Sequence, residues 1–462
     1  MTIDGHTDIS GGVDLSMSDL ADLRIGGHCT LRAPGKTALD LTNADIHASL
    51  DLRPGATVQG TIRLPNARVR GSLSLAGARL SHPERSSLVA AQRATIDGDV
   101  MLQGLRASGG RLRLDGATAG SVIAAGAELD NPGGLTLSLQ DAVVKGSVAL
   151  AEGFRSAGLV VLSRSAVAGR VELDGGTFTC PAPSGRNQAG NAIEAISATI
   201  GGGMEIGHAD IAPSADFTNA TTTFLADDPW HWPQRFVISG LTYDRFEHPR
   251  NSPPDPAWDT AARIAWLARQ AAYDAGPYEQ AARVFRQHGH APGAEQILIA
   301  GRRNARKASS SRTFSPRRLL DILYDATVGY GYHPERALWL IAALLVLVTG
   351  SLEIPAAQAT LRATPSSGVV YTTQGPLQSG RTGAAPHADA CAKGTVRCFS
   401  PAFYALDTVL PLISLNQRST WYPDPRARYG LLMEWWLNTA TVLGWLLSSI
   451  CVLSFARLAR TR

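Results

Sequence analysis

The sequence predicts a mixed fold: an N-terminal parallel β-helix (a β-solenoid), a short α-helical adaptor and a C-terminal α-helical membrane anchor of two spans. Three observations carry this reading. An apolar phrase recurs through the first half of the chain every 23 to 27 residues. Every Trp and every Tyr lies at or beyond Trp230, so the two halves are built from different residues. Two long apolar runs, both flanked by Arg, lie in the last third.

Length and composition set the frame. The 462 residues suffice for two or three domains. A formal net charge of +4 on a chain of this size implies no nucleic-acid partner. The segment "MTIDGHTDISGG" has no basic start and no apolar core, so it does not read as a signal peptide, and the N-terminal half is expected in the cytoplasm. The boundaries that follow are residues 1–225 for the repeats, 226–257 for a cap and Pro-rich linker, 258–310 for the helical adaptor and 311–462 for the membrane domain.

The repeat reads apolar-x-x-Ala-x-apolar-x-Gly-x-apolar-x-apolar and fills residues 20–211. Copies include "LPNARVRGSLSL" (64–75), "RATIDGDVML" (93–102) and "LQDAVVKGSVAL" (139–150). Its anchor falls at Ala44, Ala67, Ala94, Ala117, Ala142 and Ser165, with partial copies half a period away at Ala56 and Ala78. Apolar and polar residues alternate over about five positions, which is the pattern of a short strand with one buried face. The recurring Gly marks a bend or a close backbone approach. A fixed period with no room for helices gives a solenoid, expected here as eight or so coils and about 40 Å of stacking. The outward positions mix Arg, Asp, Ser, Thr and Gln, and no Asp column of the polysaccharide-cleaving kind recurs. A six-residue acyltransferase period is also missing. A binding or scaffolding rod is the expectation.

After the rod, Trp230, Trp232 and Phe236 are expected to cover the exposed edge of the last coil. Three helical stripes follow: Trp258, Ala261, Ala262 and Ala265; then Tyr278, Ala281, Ala282 and Phe285; then Ala294, Ile297 and Leu298. Pro277 opens the second helix, and Gly289 and Pro292 separate the last two. The result looks like a single tetratricopeptide-type hairpin acting as an adaptor. His288 and His290 form a close pair without further ligands nearby, so they read as a solvated helix end rather than a metal site.

A basic cluster comes next: Arg302, Arg303, Arg306, Lys307, Arg312, Arg317 and Arg318. Positive charge ahead of an apolar run marks a cytoplasmic flank and a lipid-facing surface. The spans are placed at about 335–354 and 432–456, with Arg457, Arg460 and Arg462 behind the second. Both chain ends are then cytoplasmic, in the inner cell membrane, with 355–428 as the outside loop. The letters TVGYG at Thr327–Gly331 spell a potassium-channel filter, but they sit beside the Arg cluster on the cytoplasmic side, with no span before them. Between the spans, "PAFYALDTVLPLISLNQRSTWYP" (401–423) has the order of a pore helix followed by a turn. It lacks the glycines of a carbonyl ring and reads as a re-entrant or interfacial helix with Asp407 facing protein or water. Cys391 and Cys398 lie seven apart in the outside loop. His387 is the one further ligand nearby, so a disulfide is preferred to a metal site.

The repeats (20–211), "GPYEQAARVFRQHGHAPGAEQILIAGRRN" (276–304), "TVGYGYHPERALWL" (327–340) and "FYALDTVLPLISLNQRSTWYP" (403–423) together resemble an actinobacterial family of membrane proteins with β-helix repeats. Its members are often labelled membrane-associated oxidoreductases, and the resemblance implies that activity. The repeats alone resemble those of bactofilins, polymerising β-helix proteins, which implies a homo-oligomer. The residues themselves carry no dinucleotide fingerprint, no C-x-x-C pair and no haem or iron–sulfur spacing, so no cofactor and no metal are expected. The expected function is a non-enzymatic scaffold or recruitment protein at the membrane, with the bilayer and a protein on the β-helix surface as partners. The alternatives are the oxidoreductase and a channel-like membrane protein.

Overall fold

Each copy of the repeat folds as one coil with three short strands, and successive coils stack in parallel. Residue pairs such as Asp45–Arg68–Thr95 and Ile46–Val69–Ile96 sit in register from coil to coil. The computed structural model describes residues 1–3, 6–82, 86–181, 190–249, 257–308, 334–363, 370–373, 375–376, 397–410 and 412–460. The chain divides into two units, Met1–Ser310 and Ser311–Arg462.

In the first unit the strands form three sheets, of eleven, nine and fifteen strands. Eleven strands make ten steps of about 4.8 Å, or roughly 48 Å of stacked coils. That exceeds the expected eight coils because the ladders run on through Arg245–Glu247, past the composition change near residue 225. The outermost coils keep the geometry but not the Ala and Gly wording that marks the repeat.

The anchor position has a definite cause. It follows a residue in the left-handed conformation: Asn43, Asn66, Arg93, Asp141 and Arg164 all have φ between 56° and 58°. The anchor's amide then closes a tight turn, as from Ala44 N–H to Leu41 C=O at 3.1 Å. Its methyl points into the lumen, where Ala44 and Ala67 are each 1% exposed. Leu, Val and Ile from the three sheets fill the rest, in one continuous apolar core. Burial of this stack is the main source of stability.

The recurring glycine stacks on itself. The amides of Gly71, Gly98, Gly120, Gly146, Gly169 and Gly202 each donate to the carbonyl of the preceding corner residue, at 2.7 to 2.9 Å. A Cβ at Gly98 would lie 2.8 Å from the backbone of Gly71. Close backbone approach is thus the reason for glycine here.

The C-terminal end of the solenoid is covered by α1 (Thr260–Ala268). Trp232, Phe236 and Trp266 pack ring against ring with centroids 4.9 to 5.8 Å apart. Trp232 and Phe236 therefore do cover the edge, whereas Trp230 is 61% exposed and does not. The buried face of α1 is also not the expected Trp258, Ala261, Ala262 and Ala265 stripe. It is Ala262, Arg263, Trp266 and Leu267, with Ala261 exposed. The reason is Arg263, a charged residue that is fully buried. Its guanidinium grips Asp227 through two bonds of 2.7 and 2.8 Å, and its Nε donates to Ala257 C=O. Asp227 also accepts from the Trp232 indole at 2.6 Å, and the guanidinium lies 3.7 Å above the Phe246 ring. Helices α2 (Gly276–Gln287) and α3 (Ala291–Ala308) complete the adaptor as a hairpin. It closes over Ala281, Ala282, Phe285, Ala294 and Ile297, all buried.

The second unit contains two helices long and apolar enough to cross a membrane: α4 (Pro334–Glu353), within which Arg336–Glu353 qualifies, and α8 (Gly430–Arg460), within which Gly430–Leu453 does. Between them in sequence lie α5 (Pro355–Gln358), α6 (Pro401–Val409) and α7 (Gln417–Thr420). A short antiparallel pair, Leu361–Arg362 with Tyr422–Pro423, ties the segment after α4 to the segment after α7.

Candidate functional site

The polar chemistry of the second unit gathers around α6. Helices α4 and α8 run antiparallel: Ala337 packs with Cys451 at one end, and the Trp436 indole donates to Ser351 Oγ at 3.0 Å at the other. Helix α6 packs against both. Its C-terminal Val409 sits on Gly444, where a Cβ would come within 2.1 Å of the Val409 carbonyl. Gly444 lies 14 residues into α8, roughly 20 Å along its axis. The antiparallel pairing puts that level opposite the middle of α4. So α6 ends halfway along both apolar helices.

There the chain reverses, and Asp407 holds the reversal. Its carboxylate accepts the backbone N–H of Leu415 at 3.1 Å, of Gln417 at 3.0 Å and of Arg418 at 2.9 Å. Asn416, with φ of 54°, supplies the left-handed residue that the reversal needs. Gln417 is buried and donates to Cys398 C=O at 3.0 Å, and the Trp421 indole donates to Arg397 C=O at 2.9 Å. These bonds close a polar cage around an otherwise irregular stretch. Asp407, Thr408, Ser414, Arg418, Ser419 and Trp445 line a cavity of about 420 Å³ beside it. A second cavity of about 480 Å³, lined by Leu347, Ile354, Ala357, Leu432, Met433 and Trp436 among others, is almost wholly apolar.

The residues singled out in the sequence fall as follows. Asp407 faces protein and serves as a backbone cap. Cys398 is disulfide-bonded, while Cys391 lies outside the described residues. Arg302, Arg303, Arg306 and Lys307 lie along the last two turns of α3, with Arg303 and Lys307 exposed. Arg312, Arg317, Arg318 and the TVGYG stretch lie outside the described residues. His288 and His290 are exposed and pack on Trp258, with ring centroids at 5.0 and 4.8 Å. Among the described residues no group of three or more His, Cys, Asp or Glu is placed to hold a metal.

The solenoid carries two surface features the sequence did not give up. One outward column runs Arg79, Arg106, Glu128, Arg155, alternating in sign at Glu128. The other lies beside the glycine ladder. Ser49, Ser72, Asp99, Ser121 and Ser147 each accept, through a side-chain oxygen, a backbone N–H from the next coil at 2.7 to 3.3 Å. Position after the recurring Gly was the available signal, since a small hydroxyl or carboxyl residue fills it in most copies. Arg263, Gly444 and Arg418 were missed because each looks ordinary in its own helix. No family model, no curated protein and no solved structure matches the chain.

Proposed function

We propose that the chain is a membrane-anchored scaffold that presents its solenoid as a docking surface for a protein partner, on the cytoplasmic side of the cell membrane. One observation carries the reading: a single chain joins a capped, continuously packed solenoid to a pair of membrane-length helices that bond to each other through Trp436 and Ser351. Apolar helices with outward Leu432, Trp435, Val442 and Leu446 suit a lipid surrounding. The stacked coils give a rigid lattice of side-chain columns, a common basis for extended binding surfaces in solenoid proteins.

The test pairs fractionation with site-specific cross-linking. The full chain should stay with membranes through alkaline carbonate, and residues 1–310 alone should not. A photo-reactive residue at Arg106 or Arg155 should trap one discrete partner, and the same probe at Trp230, outside the column, should not. Release of the full chain by carbonate would sink the anchor. Identical smears at all positions would sink the docking surface. A chromophore at near-stoichiometric level in the purified chain would instead favour the oxidoreductase that the family resemblance implies.

A further inference from the structure

We propose that the apolar cavity where α4 ends and α8 begins holds one acyl chain of a phospholipid with an anionic headgroup, and that Arg428 and Arg426 meet its phosphate. The proposal rests on α4 and α8 crossing the bilayer. Leu347 and Ser351 from the last two turns of α4, and Ile354 just after it, line the cavity with Tyr429, Leu432 and Trp436 from the start of α8. Two turns of helix cover about 11 Å of depth, most of the ~15 Å that one leaflet's hydrocarbon measures.

The polar side chains in this wall answer one another. Trp436 Nε1–H donates to Ser351 Oγ at 3.0 Å, Ser351 Oγ–H donates to Val348 C=O at 2.7 Å, and Thr360 Oγ1–H donates to Ala357 C=O at 2.6 Å. What the wall offers an occupant is hydrocarbon contact. Leu347, Ile354 and Leu432 are each more than half exposed, so the cavity opens sideways, where a membrane-spanning helix pair meets lipid.

Charge at the mouth selects the headgroup. The turn leading into α8 is tied to the cavity: Asp424 N–H donates to Thr360 C=O at 2.8 Å, and Gly430 N–H donates to Ala427 C=O at 2.9 Å. This turn sets the Arg428 guanidinium 5.1 Å from the centroid of the Tyr429 ring, which is itself part of the wall. Arg426, in the same turn, is exposed as Arg428 is. The nearby acids leave a surplus of positive charge. Asp424 lies 3.7 Å from Arg362 and is matched by it. Glu353 and Glu434 fall on the far sides of their helices from the lining residues, by the 3.6-residue repeat. Two guanidinium groups above an apolar slot match a phosphate above an acyl chain. A zwitterionic headgroup would bring its own cation toward the two arginines, so an anionic one is preferred.

The experiment uses the purified full chain in nanodiscs of equal parts phosphatidylglycerol and phosphatidylcholine with the same acyl chains. Native mass spectrometry then counts the lipids that stay on the chain. The wild type should retain one phosphatidylglycerol in preference to phosphatidylcholine. R428Q should cut that preference about fivefold, and R426Q with R428Q further, the order expected for each arginine removed beside an anionic headgroup. A357F, which fills the slot, should retain neither lipid, with circular dichroism checking that its helices persist. Equal retention of the two lipids by the wild type would overturn the anionic headgroup. A preference that neither arginine variant moves would put the lipid elsewhere and overturn the site. Glycerol 3-phosphate that displaces the lipid at equal concentration would show a site for free anions and overturn the acyl chain. Chain that floats with vesicles but retains no lipid would overturn this proposal alone. Chain that does not float would overturn the membrane reading and this proposal together.

Discussion

Arg263 and Asp227 are both fully buried and hold each other with two hydrogen bonds, at the point where α1 covers the last coil. Removing one partner leaves the other charge buried without a counter-charge, since the Trp232 indole on Asp227 and the Ala257 carbonyl on Arg263 are neutral. R263A should destabilise the 1–310 fragment by about 3 to 5 kcal/mol in urea unfolding, and D227L with R263M should recover most of it. Equal losses in the single and double variants would show that the pair is not the source. On the surface the same chemistry is weaker. Arg164 holds Asp141 by bonds of 2.7 and 2.8 Å, and its side-chain hydrogen bond lowers the Asp141 carboxyl below the usual range. A carboxyl lowered on folding adds stability above its unfolded value and loses it as pH falls through its folded one. The stability gap between the wild type and R164Q should therefore be open at neutral pH and closed in acid. A gap that stays constant across the titration would remove the ion pair from the account.

At the scale of elements, the two kinds of glycine in the solenoid should behave differently. Gly98 stands in the stacked ladder with no room for a Cβ, while Gly104 has a left-handed φ of 62° and nothing within 4 Å. G104A should cost about 1 kcal/mol, the ordinary penalty of that conformation. G98A should cost more, because backbone and not a flexible side chain must move, with overpacking alone worth about 1 to 3 kcal/mol. Equal penalties would mean that the ladder tolerates spacing. Much of this was legible in the sequence. Alternation and period gave the strands, and the recurring Gly gave the close approach. The left-handed corner was not legible, because Asn, Arg, Asp, Ser and Gly share it and no single letter marks it. The buried face of α1 was misread for a related reason: hydropathy treats Arg263 as surface, whereas its partner lies 36 residues earlier in sequence. In the second unit, Gly444 is where the C-terminus of α6 rests on α8, with no room for a Cβ. G444L should expel α6, and the test is loss of protease protection around 401–420 with the two long helices retained.

At the scale of the whole molecule, residue usage changes near Trp230, whereas the structure divides into its two units later, at Ser310, so the aromatic-rich cap and adaptor belong with the solenoid. What single-sequence reading could not supply was the half-way stop of α6, since depth is set by pairing between α4 and α8 and not by hydropathy. Residues 1–310 should express as a soluble fragment with a β-dominated circular dichroism spectrum, whereas a spectrum rich in helix would contradict the solenoid. The central claim is that the two apolar helices cross the membrane with the segment between them on the far side from both chain ends. Labelling of intact cells with a membrane-impermeant thiol reagent tests it most directly, because Cys398 is exposed, disulfide-bonded and between the helices. The account predicts labelling of Cys398 in intact cells only after reduction, with no need to permeabilise them; labelling that requires permeabilisation would contradict it.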